Sequence, residues 1–180
     1  MLDVDTADLT LTRLCPACGS SSHGRPQLSL GPGEDRLHVS IGRAGPITVV
    51  ALTQAGPVGV DVEAEAAASF RHFDPIALHP LEKAATSVQR TVQWVRKESL
   101  LKATGQGLRV EASAVRLSDP SAPPRLLEWI GDAAPPGPVW MYDAHIAPGF
   151  VAAVTVLTDR RPALVVRREE EEESAPRATL

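Results

Sequence analysis

The sequence predicts an α+β fold with antiparallel sheets, and the order of its elements is the reason. A block of segments rich in β-branched residues comes first, a block with helical patterning follows, and a second block of strand-like segments comes after it. Strands and helices grouped in this way favour an α+β fold over the alternating units of a parallel sheet. Short turns rich in glycine and proline separate the segments, and such turns join antiparallel strands.

The first block is predicted to contain three strands. Their bounds are Leu37–Ile41, Ile47–Thr53 and Val58–Glu63. The connections 43–46 and 54–57 each end in Gly-Pro and are short enough for hairpins.

The middle of the chain is predicted to form two helices, Pro80–Val88 and Thr91–Thr104. Gly105 follows the second one directly, and glycine is a common helix stop signal. The apolar residues of this second helix are Val92, Val95, Leu100 and Leu101.

The second block is predicted to contain four more strands, broken up by prolines. Pro148-Gly149 suits a turn between the last two of them. The predicted strands are Val110–Leu117, Arg125–Ile130, Val139–Ile146 and Phe150–Leu157.

Length and charge exclude several classes of protein. The 180 residues suffice for one ordinary domain of about 100–200 residues with its own core. The net charge is -4, but Glu169–Glu173 form an acidic run, so the remaining chain is close to neutral. Without a basic stripe, nucleic-acid binding is not expected.

The segment 167–180 is predicted to be a disordered acidic tail.

No membrane or secretory segment is expected either. No apolar run approaches the roughly 20 residues of a membrane span. The first eleven residues are acidic and lack the basic region of a signal peptide, so we expect a cytoplasmic protein.

The two cysteines, Cys15 and Cys18, leave three interpretations open. A Cys-x₂-Cys pair is half of a zinc knuckle, and His23 could add a third ligand. A structural site normally needs four ligands, and the chain has no further cysteine, so an ordinary loop with reduced thiols is favoured over zinc or a redox pair.

The segment Val58–Glu63 carries the first sign of chemistry. Side chains alternate along a strand, so Asp61 and Glu63 lie on one face while Val60 and Val62 lie on the other. Two adjacent carboxylates repel each other unless a cation such as Mg²⁺ lies between them. The alternative is a strand whose polar face simply meets solvent.

The second sign of chemistry lies on the helix Thr91–Thr104. Trp94, Glu98 and Lys102 are spaced four residues apart and share one helical face. A carboxylate and an ammonium on this face could join a metal site and a phosphate site. The alternatives are a surface ion pair and a tryptophan that only packs in the core. The chain has three lysines, and two of them, Lys97 and Lys102, fall within this helix.

Taken together, the two segments resemble the signature of the 4′-phosphopantetheinyl transferase superfamily. The pattern Gly-x-Asp-x-Glu is matched by Gly59, Asp61 and Glu63. The pattern Trp-x-x-Lys-Glu-Ser-x-x-Lys, followed by Gly-x-Gly, is matched by Trp94, Lys97, Glu98, Ser99, Lys102, Gly105 and Gly107. Phe73 and the segment 79–82 are similar to the stretch between the two patterns.

The resemblance implies Mg²⁺-dependent transfer of the phosphopantetheine arm of coenzyme A to a serine of an acyl or peptidyl carrier protein, with release of adenosine 3′,5′-bisphosphate. It implies that Asp61, Glu63 and Glu98 hold the metal, and that Glu98 accepts the serine proton. Lys102 would serve both catalysis and coenzyme A binding. Further coenzyme A contacts are implied for Arg25, Ser40 and Lys97.

Two segments, His23-Gly24-Arg25-Pro26 and Leu37-His38-Val39-Ser40, are similar to a Gly-Lys/Arg-Pro element and the serine-bearing strand that follows it in one branch of the family. The chain therefore resembles that longer, Sfp-like branch, which serves polyketide and nonribosomal peptide carriers. That branch has a fold of two related sheet-plus-helix halves, and here the first half is expected to be shortened. We expect an N-terminal segment 1–13 and a transferase-like domain 14–160, in which 14–57 is a remnant of the first half and 58–160 carries the motifs. The short N-terminus indicates either a compact variant or a start codon assigned too late.

One residue departs from the branch pattern, and two alternative functions stay open. The family usually has histidine directly after the serine matched by Ser40, whereas this chain has Ile41. Arg43 could compensate for the lost phosphate contact. A degenerate member could bind coenzyme A or a carrier without catalysis. An unrelated small α+β interaction module is the other alternative.

Overall fold

The computed structural model describes residues 10–14, 18–22, 24–29 and 37–168, and the account below refers to these ranges. They contain nine β-strands and two α-helices. The strands are β1 (Thr10–Leu14), β2 (Arg25–Ser29), β3 (His38–Ala44), β4 (Ile47–Thr53), β5 (Val58–Ala64), β6 (Val115–Leu117), β7 (Leu126–Trp129), β8 (Val139–Ala144) and β9 (Phe150–Leu157). The helices are α1 (Phe73–Ala77) and α2 (Ser87–Thr104). Every strand pair in these ranges is antiparallel, which confirms the predicted α+β class with antiparallel sheets.

The central sheet has the strand order β5-β9-β8, and the long helix α2 packs across β5 and β9. The face of the sheet turned away from α2 is apolar because alternate residues of β5 and β9 meet there. Val58, Val60 and Val62 join Val154 and Val156 in one buried cluster. The sheet therefore presents a packed apolar face on one side and the polar residues of β5 toward α2 on the other.

The hairpin β3–β4 lies against the free side of β5. The buried hydroxyl of Ser40 accepts a hydrogen bond from the backbone N–H of Val60 at 3.0 Å. Because β5 is an edge strand of its sheet, this side chain satisfies a donor that no ladder partner reaches. Gly42 allows the close approach, since a Cβ there would lie 3.2 Å from the Asp61 Cα.

Helix α2 begins at Ser87, four residues before the predicted start. The reason is a capping box, in which the Thr86 hydroxyl accepts from the Gln89 N–H and the Gln89 side chain accepts from the Thr86 N–H. The predicted end was right: Gly105 adopts φ 72° directly after Thr104.

The predicted helix Pro80–Val88 was wrong, and the short helix α1 lies further upstream instead. One carboxylate explains the difference. Glu82 accepts from the backbone N–H of His79 at 2.8 Å and from that of Leu117 at 2.6 Å. Glu82 therefore ties the segment after α1 to strand β6 in a non-helical conformation.

The predicted strand Val110–Leu117 was too long, because its first half forms two short 3₁₀ turns at 107–109 and 112–114. The loop that joins β6 to β7 is held by the buried guanidinium of Arg96. This group donates to the Asp143 carboxylate and to the carbonyls of Asp119, Pro120 and Ala122.

Strands β1 and β2 pair with each other and were not predicted.

Two predictions fall outside the described residues and remain expectations. They are the possible zinc site, which includes Cys15 and His23, and the acidic tail at residues 169–180. Among the described helices, none combines the length and the hydrophobicity that crossing a membrane requires.

Candidate functional site

Alternation along β5 predicted one polar face, and the structure turns this face toward α2. Asp61 has only 7% of its surface exposed and lies between the sheet and the helix. The alternative of a strand whose polar face meets solvent is therefore wrong at Asp61, and its carboxylate needs an explanation other than solubility.

At Gly59 the backbones of β5 and α2 are in close contact. A Cβ on this residue would lie 1.9 Å from the Ser99 carbonyl oxygen and 2.5 Å from the Ala103 backbone nitrogen. Neither backbone atom can move alone, so only glycine permits this contact. The close approach places Glu98 and Lys102, one residue before Ser99 and Ala103, beside the carboxylates of β5.

The variant Gly59→Ala is expected to push α2 away from β5 and to destabilise the fold by about 1–3 kcal/mol, the range of an overpacked core. Urea unfolding followed by circular dichroism measures the loss. Gly137→Ala is the matched control, because a Cβ there meets none of the described atoms within 4 Å. Equal unfolding midpoints for the two variants would contradict the close contact.

An ion pair joins the two elements next to Gly59. The Lys102 ammonium donates to Asp61 Oδ1 at 2.7 Å and to the Val60 carbonyl at 3.0 Å. The other carboxylate oxygen, Asp61 Oδ2, is buried and has no hydrogen-bond partner among the residues that the structure describes. Burial raises the pKa of Asp61 above its ordinary value, and the Lys102 charge opposes this rise. An orphaned buried acceptor is costly, which marks Oδ2 as a place where a ligand or ion can bind.

Two further carboxylates share the electrostatic environment of Asp61. Burial raises the pKa of Glu63, and the Asp61 charge raises it further. Burial also raises the pKa of Glu98, with added contributions from Asp61 and Glu63, while Lys102 lowers it. The three predicted metal ligands are thus close enough to affect one another's charge. The Lys102 ammonium lowers the pKa of all three.

The chemistry of this donor set fits a hard divalent cation, which prefers carboxylate oxygens. The unpartnered Asp61 Oδ2 and the raised pKa values of Glu63 and Glu98 are the observations that support the fit. Within the described ranges, no three His, Cys, Asp or Glu side chains are already gathered closely enough to hold an ion. Their common role as ligands therefore stays a prediction.

The structure contradicts the coenzyme A contact that was predicted for Lys97. Its side chain is fully buried, and its ammonium forms an ion pair with Glu82 at 2.6 Å. It also donates to the carbonyls of Ala77 at 2.6 Å and Ala112 at 2.9 Å. These three acceptors use all three N–H donors of a lysine, so none is left for a phosphate. About 100° of rotation per residue points Lys97 into the core while its neighbour Glu98 reaches the site.

The other predicted coenzyme A contacts lie on the N-terminal strands. Ser40 is 5% exposed and uses its oxygen on Val60, so the structure gives it a role in joining β3 to β5. Arg25 is the first residue of β2, but its side chain lies outside what the structure describes. Arg43 donates to Thr48 on the neighbouring strand at 3.2 Å.

Sequence reasoning missed two buried contacts that hold α2 in place. The Ser99 hydroxyl lies 2.7 Å from the Thr155 hydroxyl of β9, and both residues are fully buried. The lone threonine in the apolar run Phe150–Leu157 was a signal that could have found this contact. The contact of Glu82 with Lys97 is the other one that was missed.

Trp94 packs edge-on against Phe73, with the ring centroids 5.9 Å apart. This contact agrees with the alternative in which the tryptophan only packs in the core.

The comparison with family models agrees with the resemblance that the two motifs carry. A family model described as the 4′-phosphopantetheinyl transferase superfamily matches residues 57–155, a range that includes Asp61, Glu98 and Lys102. The chain is also similar to a crystal structure of Thermotoga maritima holo-[acyl-carrier-protein] synthase (AcpS), with 24% identity and a TM-score of 0.47. That likeness covers 59% of this chain and 64% of the synthase, so the chain spans less than two thirds of it. No curated protein matches.

Proposed function

This chain belongs to the 4′-phosphopantetheinyl transferase superfamily, and from that membership we propose that it moves the phosphopantetheine arm of coenzyme A to a serine of a carrier protein. Adenosine 3′,5′-bisphosphate is the second product. The observation that supports the proposal most is the contact of β5 with α2, where Lys102 binds the buried Asp61 beside Glu63 and Glu98. The family match removes the alternative of an unrelated interaction module.

Magnesium is the cation that we propose for the three carboxylates Asp61, Glu63 and Glu98. When bound, it would neutralise the pyrophosphate of coenzyme A and orient it for attack. The unpartnered Asp61 Oδ2 is the acceptor that most needs such a partner.

The proposed reaction assigns one proton transfer to this chain. The serine oxygen of the carrier attacks the β-phosphorus of coenzyme A, and the bond from that phosphorus to the nucleotide phosphate breaks. Glu98 accepts the serine proton, and its raised pKa brings its basicity nearer to neutral pH, where a general base works best. Lys102 is the proposed contact for the leaving phosphate, and Arg25 and Ser40 remain candidates on the coenzyme A side. Lys97 has no part in this proposal.

We further propose that the chain serves acyl or peptidyl carriers of polyketide and nonribosomal peptide assembly in the cytoplasm, as in the Sfp-like branch. The sequence features that support this branch are the segment Gly24-Arg25-Pro26 and, after it, the strand β3 that carries Ser40.

The test of the proposed function is mass spectrometry of an apo carrier protein after incubation with coenzyme A and Mg²⁺. The expected result is a mass gain of one phosphopantetheine arm and an equal amount of adenosine 3′,5′-bisphosphate. A chain that binds coenzyme A in calorimetry but transfers nothing to acyl or peptidyl carriers would be the non-catalytic member instead.

Divalent cations are expected to stabilise the protein most at neutral pH. A raised carboxyl pKa means that the folded state holds its proton more tightly than the unfolded state. The stability contributed by Asp61, Glu63 and Glu98 is therefore complete below their unfolded pKa values and is lost as pH rises through the raised ones. A bound cation offsets this loss. A fixed Mg²⁺ concentration of about 100 times the Kd at pH 7.5 should raise the Tm by about 5–10 °C at that pH. The same concentration should raise the Tm less at mildly acid pH, where protonated carboxyls bind the cation more weakly.

Thermal unfolding with Mg²⁺ or a chelator, at pH 7.5 and at mildly acid pH, measures this effect. Glu63→Gln is the control variant, and it should be more stable than the original chain in chelator and gain less from Mg²⁺. A Tm gain that is equal at both pH values would contradict the charge argument.

A further inference from the structure

The ion pair between Lys102 and Asp61 has a consequence for the order of events at the site. Lys102 is the proposed phosphate contact, yet its ammonium lies 2.7 Å from Asp61 Oδ1 and 3.0 Å from the Val60 carbonyl. Two of its three N–H donors are therefore used inside the protein. In this arrangement Lys102 serves as the cation of the carboxylate cluster.

We propose that Lys102 is a built-in counter-cation which leaves Asp61 when a divalent cation binds there, so that cation binding releases the ammonium toward the substrate phosphates. The inference rests on the proposed metal role of Asp61. It adds a regulatory step to that role, because the phosphate contact would form only after the metal is in place.

Electrostatics favours the release. The Lys102 ammonium binds Asp61 Oδ1, and the buried Oδ2 belongs to the same carboxylate. A divalent cation on this carboxylate would face the ammonium at close range in a poorly solvated site, where like charges repel strongly. The shared carboxylate therefore holds one of the two cations well, but not both.

The shape of the lysine side chain permits the release. About a third of the Lys102 side chain is exposed, compared with none of that of Lys97. Its four-carbon stem is flexible and its ammonium is a compact point charge, so it can move without disturbing α2. Val60 loses only the side-chain donor on its carbonyl.

Linkage makes the inference measurable. If the cation and the ammonium compete for Asp61, the ammonium weakens cation binding by a certain factor. Removal of the ammonium must then strengthen cation binding by that factor. Lys102→Met is expected to lower the Kd for Mg²⁺, or for Mn²⁺ as its spectroscopic substitute, by about tenfold. Calorimetry measures the first and electron paramagnetic resonance the second, and neither readout depends on turnover.

The three lysines of the chain allow a direct view of the movement. Protein labelled with ¹³C at the lysine ε-carbon should give three side-chain resonances. Addition of Mg²⁺ should move the Lys102 resonance in a saturable way toward the position of a solvated lysine. Lys83, which is exposed and far along the sequence from Asp61, provides the unchanged reference, and Lys83→Met assigns it.

The outcomes separate the two levels of the proposal. Tighter cation binding by Lys102→Met together with the moving resonance supports the release. Cation binding without a moving resonance, or with unchanged or weaker affinity in Lys102→Met, overturns the release and leaves the metal site standing. Absence of any Asp61-dependent cation binding overturns both. Since the labelled original chain supplies one readout, the test survives even if the variant folds poorly.

Discussion

Asp61→Asn and Glu98→Gln are each expected to lower the rate of carrier modification by at least about 100-fold while the chain stays folded. Loss of a general base alone typically costs between about 10² and 10⁴ in rate, and Glu98 is both the proposed base and a proposed metal ligand. Both substitutions keep the shape of the side chain and remove only the charge. The amide that replaces the Asp61 carboxylate would still offer an oxygen to the Lys102 ammonium.

The measurement is the initial rate of phosphopantetheine transfer by mass spectrometry, with the release of adenosine 3′,5′-bisphosphate as a second readout. Glu128→Gln is the matched control, since this glutamate lies on β7 and is exposed. Its rate should stay close to that of the original chain. A rate within about threefold of the original in Asp61→Asn or Glu98→Gln would remove that residue from the chemistry.

The parts of the site that follow from local spacing could be predicted from the sequence. Alternation along β5 placed Asp61 and Glu63 on one face, and helical spacing placed Glu98 and Lys102 on one side of α2. The steric role of Gly59 could not be predicted in this way, because it depends on how closely the backbone of α2 approaches β5. A motif marks such a glycine as present but does not say what it contacts.

Two of the errors, at Pro80–Val88 and at Lys97, share a physical cause: long-range side-chain bonds override what the local sequence indicates. Pro80–Val88 has a composition compatible with a helix, but Glu82 binds the N–H groups of His79 and Leu117 instead. Lys97 stands next to Glu98 in the motif, and its motif position alone suggested a phosphate contact. Only the packed structure reveals that its ammonium is enclosed by Glu82 and two carbonyls.

The assignment of Lys97 to the core leads to the largest expected effect on stability. Lys97→Met is expected to destabilise the fold by about 3–5 kcal/mol, because it leaves the buried carboxylate of Glu82 without its counter-charge. The loss also removes the donor from the carbonyls of Ala77 and Ala112. A phosphate-binding lysine at the surface would instead leave the stability nearly unchanged and weaken coenzyme A binding.

A double-mutant cycle separates the ion pair from its surroundings. Glu82→Gln removes the negative charge but keeps an acceptor for the His79 and Leu117 N–H groups. The double variant should therefore lose less stability than the sum of the two single variants, with a coupling of about 1–3 kcal/mol. Urea unfolding supplies the four free energies, and Arg90→Met, which breaks the exposed pair with Asp74, is the control with a much smaller effect. Additive losses from Lys97→Met and Glu82→Gln would mean that the two groups do not act as one buried pair. They would also reopen the question of where the Lys97 charge is used.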